Sequence, residues 1–108
     1  MTLENVLTEE ASEYIRKKLQ DLKEITIGGK LYHVKDVKIE SITFGDIDKE
    51  TLEDGNVTFK SKFRYLEEME NNMGWVSKFA DMNGKVHIEK RYIKGIIGEP
   101  TYSRADFF

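Results

Sequence analysis

The fold is decided by the stretch GWVSKFADMNGKVHIEKRYI, residues 74–93. Hydrophobic and polar residues alternate on both sides of its central dipeptide, Asn83-Gly84, and such alternation is typical of β-strands. A two-residue β-hairpin turn needs positive φ angles at both turn residues, and Asn-Gly tolerates these angles well. The stretch therefore predicts two antiparallel strands joined by a turn at Asn83-Gly84.

A second hairpin is predicted at Gly28-Gly29, which separates EITI from KLYHV. Both glycines accept a positive φ angle without steric cost. The predicted strand that follows, residues 30–44, shifts the phase of its apolar alternation twice. Each shift inserts one residue, as a β-bulge does, and bulges bend a strand. We therefore expect a curved sheet.

An amphipathic helix is predicted ahead of the first hairpin. Its apolar residues recur three and four positions apart and share one helical face: Leu7, Ala11, Tyr14, Ile15, Leu19 and Leu22. Acidic residues come early in the segment and basic residues come late, an order that suits the helix dipole. We expect the helix to pack on the sheet through Tyr14, Ile15, Leu19 and Leu22.

The order of these elements predicts an α+β fold, with an N-terminal amphipathic helix packed on a curved antiparallel sheet of about five strands. This order is similar to that of cystatin-like folds, and an SH3-like barrel with an N-terminal helix is the alternative. Pro100 has no backbone N–H to donate, so strand pairing is expected to stop before it. Residues 1–98 are predicted to form one domain, followed by a C-terminal tail at 99–108.

The composition narrows the range of functions. The chain has 108 residues and no cysteine, which excludes disulfides, thiolate metal ligands and a thiol nucleophile. Its start, MTLENVLTEE, is too acidic and polar for a signal peptide, and no apolar run reaches the length of a membrane span. We expect a cytoplasmic protein without a membrane partner.

No catalytic, cofactor-binding or metal-binding residue is predicted. The loop with Asp46, Asp48 and Glu50 has the charge of a calcium loop. However, Thr51 and Val57 stand where an EF-hand needs Gly and Glu. The chain contains neither a G-x-S-x-G nucleophile motif nor a phosphate-binding glycine loop.

His33 and His87 are the only two histidines. Each is out of phase with the apolar residues of its predicted strand, so each is expected to point away from the core. A general base needs a partner within hydrogen-bond reach, and the sequence places none beside either histidine. Both are predicted to be ordinary strand histidines.

A row of basic residues marks the third predicted strand, VTFKSKFRYL, residues 57–66. Lys60, Lys62 and Arg64 share one face of this strand, and its aromatic residues share the other. The row predicts a surface for a partner. Specific nucleic-acid binding is not expected, because base stacking needs aromatic residues on the same face.

The C-terminus ends in Phe107 and Phe108 after a polar tail. Two large rings are unfavourable in water unless they dock onto a surface, either of their own domain or of another chain. We predict Phe107, Phe108 and Tyr102 of the tail, together with the basic row, as the partner-binding residues.

These features predict a non-enzymatic protein-binding or assembly module, such as a small accessory protein, inhibitor or structural subunit, for example of a phage or another mobile element. The partner is a protein or a second copy of the chain. Two alternatives stay open. One is a small-molecule-binding curved-sheet domain or minor enzyme that uses a histidine or a loop carboxylate. The other is nucleic-acid contact through the basic strand face.

Overall fold

The computed structural model describes residues 3–45, 47, 53–70 and 73–105. In this part of the chain one helix precedes six strands: α1 (Leu3–Gln20), β1 (Glu24–Ile27), β2 (Lys30–Phe44), β3 (Asp54–Glu68), β4 (Trp75–Glu89), β5 (Tyr92–Ile96) and β6 (Thr101–Ala105). The strands pair antiparallel in the order β1-β2-β3-β4-β5, and β6 also pairs with β4. The predicted α+β class is confirmed, with six strands in place of about five.

The first predicted hairpin is confirmed. Gly28 and Gly29 have φ angles of 60° and 82° and join β1 to β2. Ile27 and Lys30 pair directly on either side of this turn. The predicted bulges in β2 are also present, because its register against β3 shifts twice. Asp36, at the first shift, has a positive φ angle of 52°.

The second predicted hairpin is wrong. β4 continues without a break through Asn83-Gly84, and Gly84 does not have a positive φ angle. The turn lies seven residues further on, at Lys90-Arg91, where the φ angles are 52° and 69°. This two-residue turn joins β4 to β5.

Pairing on both edges of β4 explains why Asn83-Gly84 is extended. β4 pairs with β3 over its whole length of 15 residues, and a turn at Gly84 would remove many of these pairs. Gly84 lies directly opposite Phe59, and a Cβ atom at Gly84 would come within 2.9 Å of the Phe59 ring. Gly84 therefore permits the close approach of an aromatic ring.

The expectation that strand pairing stops before Pro100 is also wrong. β3 occupies one edge of β4, so β5 and β6 share the other edge. β5 pairs with residues 86–89 of β4, and β6 pairs with residues 79–83. Pro100 lies in the connection between β5 and β6, where a missing backbone donor removes no hydrogen bond from the sheet.

The helix packs on the sheet through four apolar side chains that are each at most 4% exposed: Leu7, Ala11, Ile15 and Leu19. Leu22 is partly buried against the same core, as predicted. Tyr14 is 47% exposed, so its prediction as a core contact is wrong. Its ring lies at the edge of the apolar face, close to Gly95 of β5. Across the described part of the chain, no helix is long and apolar enough to cross a membrane.

The two faces of the sheet differ in burial, as the alternation of β3 predicts. One side of β3 contributes residues that are at most 3% exposed beneath α1: Val57, Phe59, Phe63 and Tyr65. We name this side the helix-covered face. The other side of β3 carries Lys60, Lys62 and Arg64. We name this whole side of β3 the open face, and it includes the residues directly opposite it on the neighbouring strands.

Candidate functional site

The predicted basic row lies on the open face, along a strand with a neighbour on each side. The register places Thr43 of β2 opposite Lys60 and Lys38 of β2 opposite Arg64. Directly opposite residues of an antiparallel pair project to the same face. Lys38 therefore widens the row onto β2. Lys60 and Arg64 are exposed, and Lys62 is half-buried.

Lys38 and Arg64 form a pair of like charges, and such a pair destabilises a sheet when the residues are directly opposite. Arg64 Nε lies 3.7 Å from Glu40 Oε1, and both side chains are partly exposed to water. An ion pair with this exposure contributes little stability. The sheet therefore holds two cations side by side where a bound anion would relieve their repulsion.

Five acidic residues accompany the basic residues on the open face, and two of them, Asp54 of β3 and Glu89 of β4, lie directly opposite each other at one end of these strands. Glu40 lies on β2, and Glu68 lies on β3 beyond the basic row. Asp81 lies on β4 opposite Lys62, and its Oδ1 is buried without a hydrogen-bond partner. Six basic residues share this face: Lys35, Lys38, Lys60, Lys62, Arg64 and Lys85. The open face is thus positive along residues 60–64 of β3, with acidic residues at both ends of β3 and on each neighbouring strand.

Two aromatic residues lie on the open face beside the basic row. The register places Phe79 opposite Arg64 and Trp75 opposite Glu68. Trp75 is 40% exposed, and Lys35 Nζ lies 4.2 Å from the centroid of its ring. Inspection of β3 alone missed both residues, because they come from β4. Their own alternation was visible in the sequence, but only the strand register shows which face they share.

A groove of about 430 Å³ opens beside the first bulge of β2. Its lining combines cationic, acidic, polar and apolar side chains from three strands: Asp36, Val37, Lys38, Arg64, Tyr65, Leu66 and Ser77. Leu66 continues the β3 row past Arg64, and Ser77 lies directly opposite Leu66 on β4. The row of cations thus leads into a groove with an apolar wall.

The other predicted partner-binding residues are not brought together with this row. Tyr102 pairs with Met82 on the helix-covered face, and its ring packs edge-on against Phe63 with centroids 6.3 Å apart. Burial and the nearby Glu99 raise the pKa of Tyr102. Phe107 and Phe108 lie outside the described residues.

A partly buried ionic cluster on the helix-covered face was not predicted; its Glu67 side chain is 9% exposed and its Arg104 side chain is 34% exposed. Arg104 of β6 donates to both carboxylate oxygens of Glu67, at 2.8 and 3.2 Å, and to the Tyr65 hydroxyl at 2.8 Å. Its guanidinium also lies 4.7 Å from the centroid of Tyr32 on β2. The hydrogen bond to Glu67 raises the pKa of Arg104, and burial raises that of Tyr65. The cluster joins β6 to β2 and β3, so its geometry is that of a structural clamp.

The two histidines lie far apart. His33 is exposed on β2, near the β1 turn, and His87 lies on β4 opposite Asn56, at the start of β3. His87 Nδ1 is 2.9 Å from Asn56 Oδ1, and its Nε2 is 3.7 Å from Glu89 Oε2. Within the described ranges, no group of three or more His, Cys, Asp or Glu residues is arranged to hold a metal ion. The acidic residues at 46, 48 and 50 lie outside those ranges.

Beneath the first half of α1, the space between the helix and the sheet is filled by side chains. The hollow beside Phe44, Val57 and Ile88 measures about 10 Å³. A water molecule needs at least about this much room, so an organic ligand does not fit there. This packing favours an exposed surface over an enclosed small-molecule site.

Comparison of the chain with protein-family models, with curated proteins and with solved structures gives no match. The site must therefore be judged from its own residues. Its distinguishing features are a row of cations on β3, a repulsive cation pair, two adjacent aromatic rings and a groove with an apolar wall.

Proposed function

We propose that this chain is a non-enzymatic protein-binding module whose open face binds an acidic segment of a partner protein. One observation carries the proposal. The exposed side of β3 aligns Lys60, Lys62 and Arg64, and strand pairing adds Lys38 beside the last of them. Carboxylates of a partner would relieve the repulsion between Lys38 and Arg64, which costs the free protein on the order of 0.2–1 kcal/mol.

The acidic residues of the open face favour a protein partner over a nucleic acid. Glu40 and Asp81 flank the basic row on β2 and β4. A nucleic-acid backbone carries a charge at every nucleotide and would meet these carboxylates along its path. A protein segment can place its carboxylates over the cations and neutral residues elsewhere.

Nucleic-acid binding is the second candidate, and one observation favours it. Phe79 and Trp75 share the open face with the basic row. Basic grooves with adjacent aromatic rings bind single strands, because the bases stack on the rings.

Fluorescence anisotropy with two labelled probes tests the proposal. One probe is a polyglutamate peptide, and the other is an oligothymidylate of equal charge. We expect the peptide to bind at low salt. We expect its affinity to fall about tenfold when the row is removed, because three exposed ion pairs contribute about 0.2–1 kcal/mol each. The variant is Lys60→Ala, Lys62→Ala, Arg64→Ala.

A matched control removes three exposed basic residues from α1, in the variant Arg16→Ala, Lys17→Ala, Lys18→Ala. It has the same net charge as the first variant, so it should keep the affinity if the open face is the site. Equal loss in both variants contradicts the proposal, since net charge alone would then explain binding. Tighter binding of the oligothymidylate supports the second candidate instead.

We also assign the module to the cytoplasm, because a chain without cysteine suits a reducing compartment. Cell fractionation tests this assignment.

The predicted contact of Phe107 and Phe108 with another chain belongs to the same proposal. Light scattering on a variant that lacks both residues tests it, and an unchanged mass in an assembled sample contradicts it.

A further inference from the structure

We infer that the partner segment is an extended strand that lies along β3, with acidic side chains at alternate positions and an apolar side chain at the next alternate position. This inference rests on the proposed function and specifies the partner. It follows from three features of the open face: the spacing of the row, its width and the residue that ends it.

The spacing of the row suits an extended chain. Lys60, Lys62, Arg64 and Leu66 are each two residues apart along β3. Two residues of a strand span about 6.6–6.8 Å. An extended partner presents every second side chain toward the sheet at this same interval. Three acidic residues at alternate positions therefore meet three cations in register.

The width of the row excludes a broad acidic surface. Glu40 on β2 and Asp81 on β4 lie on either side of it, and neighbouring strands are about 4.8 Å apart. A helix is about 10–12 Å wide with its side chains, so its acidic face would also cover these two carboxylates. An extended chain places one line of carboxylates above β3 alone.

The residue that ends the row, Leu66, favours an apolar side chain in the partner segment. Leu66 follows Arg64 on the open face and forms one wall of the groove with Val37 and Ser77. A partner side chain one step beyond the last carboxylate meets this wall. Burial of apolar surface there adds to the ion pairs. The inferred pattern is acidic-x-acidic-x-acidic-x-apolar, with the apolar residue at Leu66.

Two peptides of identical composition test the pattern. One is Glu-Ser-Glu-Ser-Glu-Ser-Leu and the other is Glu-Glu-Glu-Ser-Ser-Ser-Leu, each with a labelled and otherwise neutral end. We expect the alternating peptide to bind about fivefold more tightly, the change expected from one or two exposed ion pairs. Equal affinities that both fall in the triple alanine variant of the row overturn this inference and leave the proposed function standing. Absence of binding by both peptides and by polyglutamate overturns both.

A charge exchange tests the register. Lys60 lies between Thr43 and Asn83, so Lys60→Glu places no new carboxylate directly opposite another. We expect Lys60→Glu to weaken the alternating peptide. A peptide with lysine in place of the glutamate furthest from leucine should restore the affinity. A peptide with lysine in place of the glutamate nearest leucine should not. Equal restoration by the two lysine peptides overturns the inferred register.

A last variant tests the apolar position. We expect Leu66→Ala to lower the affinity for the alternating peptide, but not for the same peptide with serine in place of leucine. Leu31→Ala is the control, because Leu31 is 53% exposed and lies outside the groove. Equal losses for the two peptides in Leu66→Ala contradict the inferred contact.

Discussion

Two dipeptides suited to tight turns take different conformations in this molecule. Gly28-Gly29 forms the turn between β1 and β2, whereas Asn83-Gly84 is extended inside β4. In the described chain, β1 is 4 residues long and pairs only with β2, so no other pairing competes with its turn. β4 is 15 residues long and pairs along both edges. A turn there would break contacts with two other strands.

The difference between these two dipeptides shows how the φ preference of a residue compares in size with the energy of strand pairing. Adapting a residue to a positive φ angle changes stability by about 1–2 kcal/mol. Each cross-strand pair contributes only about 0.2–1 kcal/mol, but a long strand makes many of them. The sum over β4 therefore outweighs the preference of one Asn-Gly dipeptide. At Lys90-Arg91, where the pairing ends, two ordinary residues adopt the turn.

The clamp that holds β6 gives the largest expected effect. β6 is one of the strands that pair with Asn83, and Arg104 ties it to Glu67. We expect Arg104→Ala to lower the free energy of unfolding by about 2–3 kcal/mol, because Glu67 would stay buried without its cation. Urea unfolding measures this loss. Arg104→Leu combined with Glu67→Leu should recover part of it, and a loss below about 0.5 kcal/mol in Arg104→Ala contradicts the clamp.

At Gly84 we expect a steric effect rather than a φ effect. Gly84→Val should destabilise by about 1–3 kcal/mol, because its Cβ would press on the Phe59 ring. Gly84→Asn should also destabilise, although asparagine tolerates positive φ angles. Adding Phe59→Leu should reduce the cost of Gly84→Val in a double-mutant cycle. Additive costs in that cycle would argue against the contact.

At Gly29 we expect the opposite dependence. No atom lies within 4 Å of a Cβ placed there, and the φ angle is 82°. Gly29→Val should therefore cost about 1–2 kcal/mol through the backbone alone. Gly29→Asn should cost much less. Thermal melts of the two variants decide, and equal midpoints would mean that the turn does not require a positive φ angle.

The smallest effect is expected from moving the favourable dipeptide to the observed turn. Replacing Lys90-Arg91 by Asn-Gly should stabilise the protein by about 0.5 kcal/mol, since the turn needs positive φ at both residues. The exposed ion pair between Arg91 and Glu53 is lost, and such pairs contribute little. Urea unfolding at high salt screens this ion pair, so that the effect of the turn residues is measured alone. A destabilised variant at high salt contradicts the assigned turn.

The candidate site, like the two turns, combines features that depend on residues close together in the chain with features that depend on strand pairing. Alternation within β3 was enough to place Lys60, Lys62 and Arg64 on one exposed face, because side chains of a strand alternate with a period of two. Lys38, Phe79 and Trp75 could not be added from the sequence. Lys38 lies on β2, and Phe79 and Trp75 lie on β4. Only the register of these strands against β3 shows that the three residues share a face with Arg64.

The sequence by itself determined the helix, its buried face apart from Tyr14, the bulged second strand and the Gly28-Gly29 turn. These features depend on residues close together in the chain, where periodicity and φ preferences act. Only the tertiary structure decided that Asn83-Gly84 is extended, that residues 101–105 form a strand and that Arg104 reaches Glu67. These outcomes depend on which strands meet, and pairing energies summed over many distant contacts outweigh the preference of any single dipeptide or proline.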